Sequence, residues 1–260
     1  MEAIINPYSQ LDVFLLIFIR MVSFISVAPL FGIKNVPVFA KIGLAFFLAL
    51  IMFNITPIEG LVNNNTIFDY TYLIIKEIFV GWVIGFGAYL TFTIITLAGQ
   101  LIDYQIGFTM VNVLDPLSQI QLSITGNLYY YLLLLIMLST NMHFFLIDGL
   151  IQSFTLVPIG KVVANVSLYH TITDFFAEYF IIAFKISTPI FAGILIVNVI
   201  LGILARTVPQ MNMFIIGLPL KVYVGLMILF ITIRLMPSIA DFIFNKMLDL
   251  IDELLTGLKP

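Results

Sequence analysis

Cysteine is absent from this chain and charge is scarce: only 10% of its 260 residues are Asp, Glu, Lys or Arg. The first absence excludes disulfides, thiolate chemistry and cysteine-ligated metal sites. The second, with a net charge of -3 and no basic cluster, argues against a nucleic-acid partner. HExxH, GxSxG, Walker and GxGxxG motifs are missing, and no carboxylate pair falls on one helix. His143 and His170, the two histidines, are too far apart in sequence to form a site without help from elsewhere. His143 has Asp148 five residues on, off the spacing of one helix face, so it reads as a capping or packing residue. No catalytic residue, metal or cofactor is therefore expected. Glu2 and Asp12 stand where a secretory leader would be basic, so no cleavable signal is expected either. The sequons at Asn54, Asn64 and Asn165 are short enough to arise by chance.

What is present is apolar. Hydrophobic residues make up 62% of the chain and the mean hydropathy is +1.15, far outside the range of soluble domains. The fold expected is an all-α integral membrane protein of about six long, partly broken helices. Apolar segments run over residues 11–31, 38–56, 78–102, 128–147, 180–205 and 213–236. Each is close to or beyond the roughly 20 residues needed to cross a bilayer. Residues 148–178 are mixed and uninformative. Pro189 predicts a kink, and RTVPQMN at 206–212 a break. Residues 238–258 alternate apolar and acidic positions at the spacing of an amphipathic helix, suited to a partner or a membrane surface. Gly81 and Gly85 form a GxxxG pair, read either as a close helix contact or as relief of crowding around Trp82. The charges flanking the first segment place the N-terminus outside.

The stretch at 98–126, AGQLIDYQIGFTMVNVLDPLSQIQLSITG, does not read as a membrane helix. It is too apolar to be required by water and too polar for lipid, where each unpaired polar group costs several kcal/mol. A protein-lined cavity or pore is compatible with it, and so is an ordinary packed connector. It contains no Lys or Arg, so charge bias does not assign it to either side of the membrane. Intramembrane charge candidates are Arg20, Lys41, Lys185, Arg206, Lys221, Asp103 and Asp115. The acids sit at segment ends or in loops, unlike those of an ion-coupled transporter. The basic residues are expected to snorkel or to bond the carbonyl ends of neighbouring helices, ahead of any role in ligand binding.

Three motifs carry a family resemblance: APLFGIKNVPVFAKIGLA at 28–45, AGQLIDYQIGFTMVNVLDP at 98–116 and LARTVPQMNMFIIGLPLK at 204–221. They resemble the FliR family (FliR/MopE/SpaR), flagellar biosynthesis proteins related to the export-gate T subunit of type III secretion systems. The likeness covers nearly the whole chain. It implies a structural and gating subunit, not an enzyme, in the bacterial inner membrane at the flagellar basal body. The implied partners are FliP-like and FliQ-like membrane subunits and an FlhB-like subunit, and the implied transit substrates are unfolded flagellar proteins.

The resemblance also implies a FliP-like part at 1–178 and a FliQ-like hairpin with C-terminal helix at 179–260. The central stretch becomes a pore plug, formed by Gly107, Phe108, Met110, Val111, Asn112, Val113, Leu114, Asp115 and Pro116 and continuing to about Gly126. Arg206, Pro209, Gln210, Asn212, Pro219 and Lys221 become helix-break and subunit-contact residues. The chain departs from the family at Asn141, Met142 and His143, where Asn-Gly-His is common, which bears on any glycine-dependent turn there. The competing function is a self-contained small-solute transporter. That reading predicts inverted repeats, and the two halves lack convincing self-similarity.

Overall fold

The chain is described here from a computed structural model over residues 7–33, 35–55, 67–109, 123–210 and 212–260. The helices within those residues are α1 (Pro7–Val27), α2 (Val38–Ile55), α3 (Ile67–Ile106), α4 (Ile124–Ser139), α5 (His143–Leu156), α6 (Val166–Thr207), α7 (Met213–Thr232) and α8 (Met236–Gly257). A 3₁₀ turn, Ile233–Leu235, joins the last two. Five helical stretches among the described residues are long and apolar enough to cross a membrane, or six if a bent pair forms one span. The protein is all-α and integral to a membrane.

Several boundaries differ from the hydropathy reading. Helix α3 starts at Ile67 rather than near 78, and at 40 residues it is about 60 Å long, twice the bilayer's apolar core. Hydropathy marks apolar side chains, whereas a helix persists wherever its backbone bonds are made. Asp69 lies in its first turn, where a carboxylate faces the positive end of the helix dipole. The expected span at 128–147 is instead the pair α4 and α5, bent by 76°. At that bend Asn141 takes a left-handed backbone, φ 59, a conformation Asn tolerates better than other non-glycine residues. The mixed region 148–178 becomes the second half of α5 and the first turns of α6. Pro189 lies inside α6 without ending it.

The chain divides into two compact units, the first made of residues 1–91, 141–175 and 244–260. In this unit α1 packs on α2 through Phe14, whose ring meets Phe46 and Phe53 edge to face at 5.7 and 5.9 Å. Helix α3 approaches α1 along its glycines. A methyl group at Gly81 would overlap the carbonyl oxygen of Arg20, and one at Gly85 would come within 2.9 Å of that of Phe24. Of the two readings of the GxxxG pair, the close helix contact is the one realised.

The C-terminal part of α8 is equally committed. Phe244, Met247, Leu250, Ile251, Leu254, Leu255 and Leu258 are buried, while Asp249, Asp252 and Glu253 face outward. Leu254 lies against Gly87 of α3, and Ile251 lies 3.4 Å from a methyl position on Gly149 of α5. From Phe244 onward, the apolar face expected to meet a partner or a membrane surface is thus consumed inside this unit, whereas Phe242 before it is exposed. The tail is held there by Asn165, whose backbone N–H donates to Gly257 at 3.0 Å and whose side chain donates to the Lys259 carbonyl at 3.0 Å.

The second unit holds residues 92–140 and 176–243. Within it α6 and α7 form an antiparallel hairpin, because Gly217 faces Leu201 near the connection and Gly193 faces Ile228 farther away. The C-terminal end of α3 joins them: the Ile106 side chain fills the space above Gly225, and the Tyr179 hydroxyl donates to the Thr93 carbonyl at 3.1 Å.

Candidate functional site

The central stretch is less extended than its polarity suggests. Residues 98–106 are the last turns of α3, and 124–126 are the first turn of α4. Polar residues do not by themselves break a helix, and here the buried one, Asp103, is partnered. Helix α3 ends in a Schellman-type turn in which the backbone N–H groups of Gly107 and Phe108 both donate to the Asp103 carbonyl at 3.0 Å. Gly107 has φ +99, a region that lack of a Cβ opens.

The side chain of Asp103 then closes the other end of the stretch. It is 3% exposed and accepts the Ser123 hydroxyl at 2.6 Å and the Thr125 backbone N–H at 3.2 Å. Ser123 is the N-cap of α4, and its oxygen in turn accepts the Gly126 N–H at 2.8 Å. Asp103 therefore terminates one helix with its backbone and caps the next with its carboxylate. Its negative charge lies at the positive end of the α4 dipole. The two helix ends approach closely at Gly99 and Gly126, where a Cβ on Gly99 would overlap the Gly126 backbone. The turn at Gly107 and Phe108 and the start of α4 at Ser123 are thus both bonded to Asp103.

A second polar cluster lies in the first unit, around Arg20 and Glu77, both 0% exposed. Arg20 Nε donates to Glu77 Oε2 at 2.6 Å. Its terminal nitrogens donate to the carbonyls of Ser153 and Val157 at 3.1 Å and to the Ser153 hydroxyl at 3.2 Å, and the guanidinium lies 4.2 Å from the Phe154 ring centre. Glu77 Oε1 accepts the Gly160 N–H at 2.8 Å, while Lys76 donates to the Gly160 carbonyl at 2.9 Å. The C-terminal carbonyls of α5 and the turn after it are held by a cation, and that cation by its counter-charge. For Arg20 the expected bonding to carbonyl ends of a neighbouring helix is what occurs. The expectation that acids keep to segment ends fails at Glu77, which lies well inside α3. The signal was YLIIKEIFVG at 72–81, a charged dipeptide within one continuous apolar run.

The profile of a protein family described as "Bacterial export proteins, family 1" matches residues 11–247. Flagellar biosynthetic protein FliR of Bacillus subtilis (strain 168) is 38% identical over 245 residues, covering 93% of this chain and 94% of that protein. The proteins of the same name from Escherichia coli (strain K12) and Aquifex aeolicus (strain VF5) are 31% and 32% identical, with coverage of 95% and 85% of this chain and of 95% and 85% of the relative. The chain belongs to the FliR family. As a FliR-family member it is a component of flagellar biosynthesis and protein export carried in a membrane.

The residues assigned by the FliR resemblance are distributed as follows. Gly107 and Phe108 form the turn ending α3. Met110, Val111, Asn112, Val113, Leu114, Asp115 and Pro116 lie outside the described residues. Gly126 belongs to α4 rather than to a loop. Arg206 lies in the last turn of α6, where a cation complements the helix dipole. Pro209 and Gln210 are exposed in the turn beyond it, and the Asn212 carbonyl accepts the first N–H bonds of α7 from Ile215 and Ile216. Pro219 and Lys221 lie inside α7, one exposed and one half-buried. Asp103, Ser123, Gly99 and Glu77, which organise the two polar clusters, were not among the assigned residues.

Proposed function

We propose that this chain is a structural and gating subunit of the flagellar type III protein-export gate in the bacterial inner membrane, and that residues 107–122 form the seal of its pore. The observation that carries this reading is the Asp103–Ser123 clasp. A gate needs a segment that repacks when a polypeptide passes and then returns to one place. A segment whose two ends are fixed to each other can change within without drifting from its seat. Met110 and Phe108 are suited to fill a narrow opening, and the role asked of this chain is positional, with no catalytic step and no cofactor.

Assembly with other subunits is supported by the outer surface. Phe180, Phe184, Leu195, Ile196, Val199 and Ile203 of α6 and Phe230 of α7 are exposed, so the FliQ-like hairpin within 179–260 offers a broad apolar face. FliP-like, FliQ-like and FlhB-like subunits would cover such faces, and Arg206, Pro209, Gln210, Asn212, Pro219 and Lys221 would contribute to the contacts at the hairpin. Unfolded flagellar proteins would be the transit substrates.

Deletion of residues 110–119 in cells tests the seal. Assembly should persist while the membrane leaks small ions. Unchanged permeability with normal flagellar secretion would refute the assignment. Purification in mild detergent tests the wider reading, since an export subunit should come out with membrane partners, whereas an isolated chain that moves a small solute would make it a transporter.

A further inference from the structure

Within the second unit a cavity of about 400 Å³ opens between α4, α6 and the joint between α7 and α8. Its walls include Ile182, Ile186, Ile239 and Phe242, and its polar lining is Lys185, Thr232, Ser238 and the Tyr129 ring. The volume falls in the range of cavities that hold small ligands, about 300–1,000 Å³, and exceeds what one protruding side chain would fill. The lining contains one charged residue, Lys185, and no carboxylate.

Lys185 lies near the middle of the 42-residue helix α6. It has no ion pair or hydrogen bond among the described residues. Pro189, a turn later and also in the lining, has no N–H to offer the Lys185 carbonyl. Its side chain is exposed, so a counter-charge can reach the ammonium from outside the chain. The cavity's position indicates which one. The apolar run of α7 ends at Thr232, the 3₁₀ turn carrying Arg234 follows, and the amphipathic α8 begins at Met236. The cavity is lined from both sides of that change, by Thr232 and Leu235 before it and by Ser238, Ile239 and Phe242 after it. An apolar run that ends at a basic residue marks where a bilayer's hydrocarbon gives way to its headgroups.

We propose that this cavity is a binding site for an anionic phospholipid, with an acyl chain between α4 and α6 and the phosphate at Lys185. The apolar walls provide burial for the chain, the ammonium provides the counter-charge, and the hydroxyl of Ser238 can donate to a phosphate or ester oxygen. Lysine serves here as a point charge for phosphate.

The test uses the full chain in phosphatidylcholine vesicles doped with a phosphatidylglycerol carrying a diazirine on its acyl chain, with the matching phosphatidylcholine probe as comparison. After illumination and digestion, adducts should map to residues 182–189 and 232–242, with the glycerol lipid favoured about five-fold, the effect of one lysine near an anionic headgroup layer. Lys185→Gln should abolish that preference and Lys185→Arg should retain it. Ile239→Trp should reduce adducts in the cavity from both probes while leaving those on the exposed face near Ile200 unchanged, which also checks that the variant is folded. Equal labelling by the two lipids, an unchanged preference in Lys185→Gln, or adducts confined to other segments would overturn the proposal. So would protection of both segments by an acidic partner protein cross-linked to Lys185 in the assembled complex.

Discussion

Replacing Glu77 by Gln separates charge from shape at the Arg20 cluster. The amide keeps the carboxylate's size and still accepts the Gly160 N–H, but Arg20, 0% exposed, loses its counter-charge. Breaking one member of a buried pair costs about 3–5 kcal/mol, against a total stability on the order of 5–15 kcal/mol. For a chain of this size that corresponds to a fall in melting temperature of roughly 6–20 °C. Arg20→Met should cost at least as much, because it leaves Glu77 charged and strips both hydrogen bonds from the Val157 carbonyl, an orphaned acceptor being worth about 1–3 kcal/mol, while the Ser153 carbonyl keeps the Val157 N–H at 2.9 Å. The double variant should be less damaged than the sum of the two, with a coupling of up to about 3 kcal/mol. Its recovery stays incomplete because the Val157 carbonyl remains unpaired. Thermal unfolding in mild detergent can be followed by Trp82, the sole tryptophan, which lies five residues beyond Glu77 and stacks on Phe86 at 4.6 Å. A loss below about 0.5 kcal/mol for Glu77→Gln, the size expected of a surface change, would refute the reasoning, as would simple additivity in the cycle.

Ser123→Ala removes the α4 N-cap and one of the bonds to Asp103, and should cost about 1 kcal/mol. Asp103→Asn should weaken the clasp further and raise proteolytic cutting within 107–122; digestion rates equal to wild type in both variants would count against a tethered segment. Gly99→Leu sets a side chain on the Gly126 backbone and should cost more than the 1–3 kcal/mol typical of overpacking, read as loss of intact protein in the membrane, whereas full accumulation would contradict the close crossing. Asn141→Gly should leave the melting temperature within a few degrees, while Asn141→Val, forced to φ near +60, should destabilise by about 1–2 kcal/mol; equal melting of the two would show that the bend does not use that conformation.

What could be read in the sequence was whatever repeats locally. The apolar runs placed α1 and α2 to within a few residues, RTVPQMN marked the break between α6 and α7, and alternating acids outlined α8. Three long motifs carried the family. Local pattern reports how much apolar surface a segment has, and not what covers it, so the α8 stripe gave no sign that Gly87 and Gly149 of its own chain would meet it. Polarity likewise marked 98–126 as unusual without showing that most of its edges are helical, since a capped carboxylate and an uncapped one look alike in sequence.

The chain's order alone determined its class, an all-α membrane protein with a scarce, mostly basic set of charges near apolar segments. Only the tertiary structure decided which of those charges are partnered. Arg20 and Glu77 lie 57 residues apart, and Asp103 and Ser123 lie 20 apart. Each pair is brought together by helices crossing where glycine permits close approach: α1 against Gly81 and Gly85, and α3 against α4 at Gly99 and Gly126. Hydropathy and periodicity act along the chain, whereas the cost of burying an unpaired charge is met through space. That physical difference is why helices could be read from the sequence and the clasps that hold them could not.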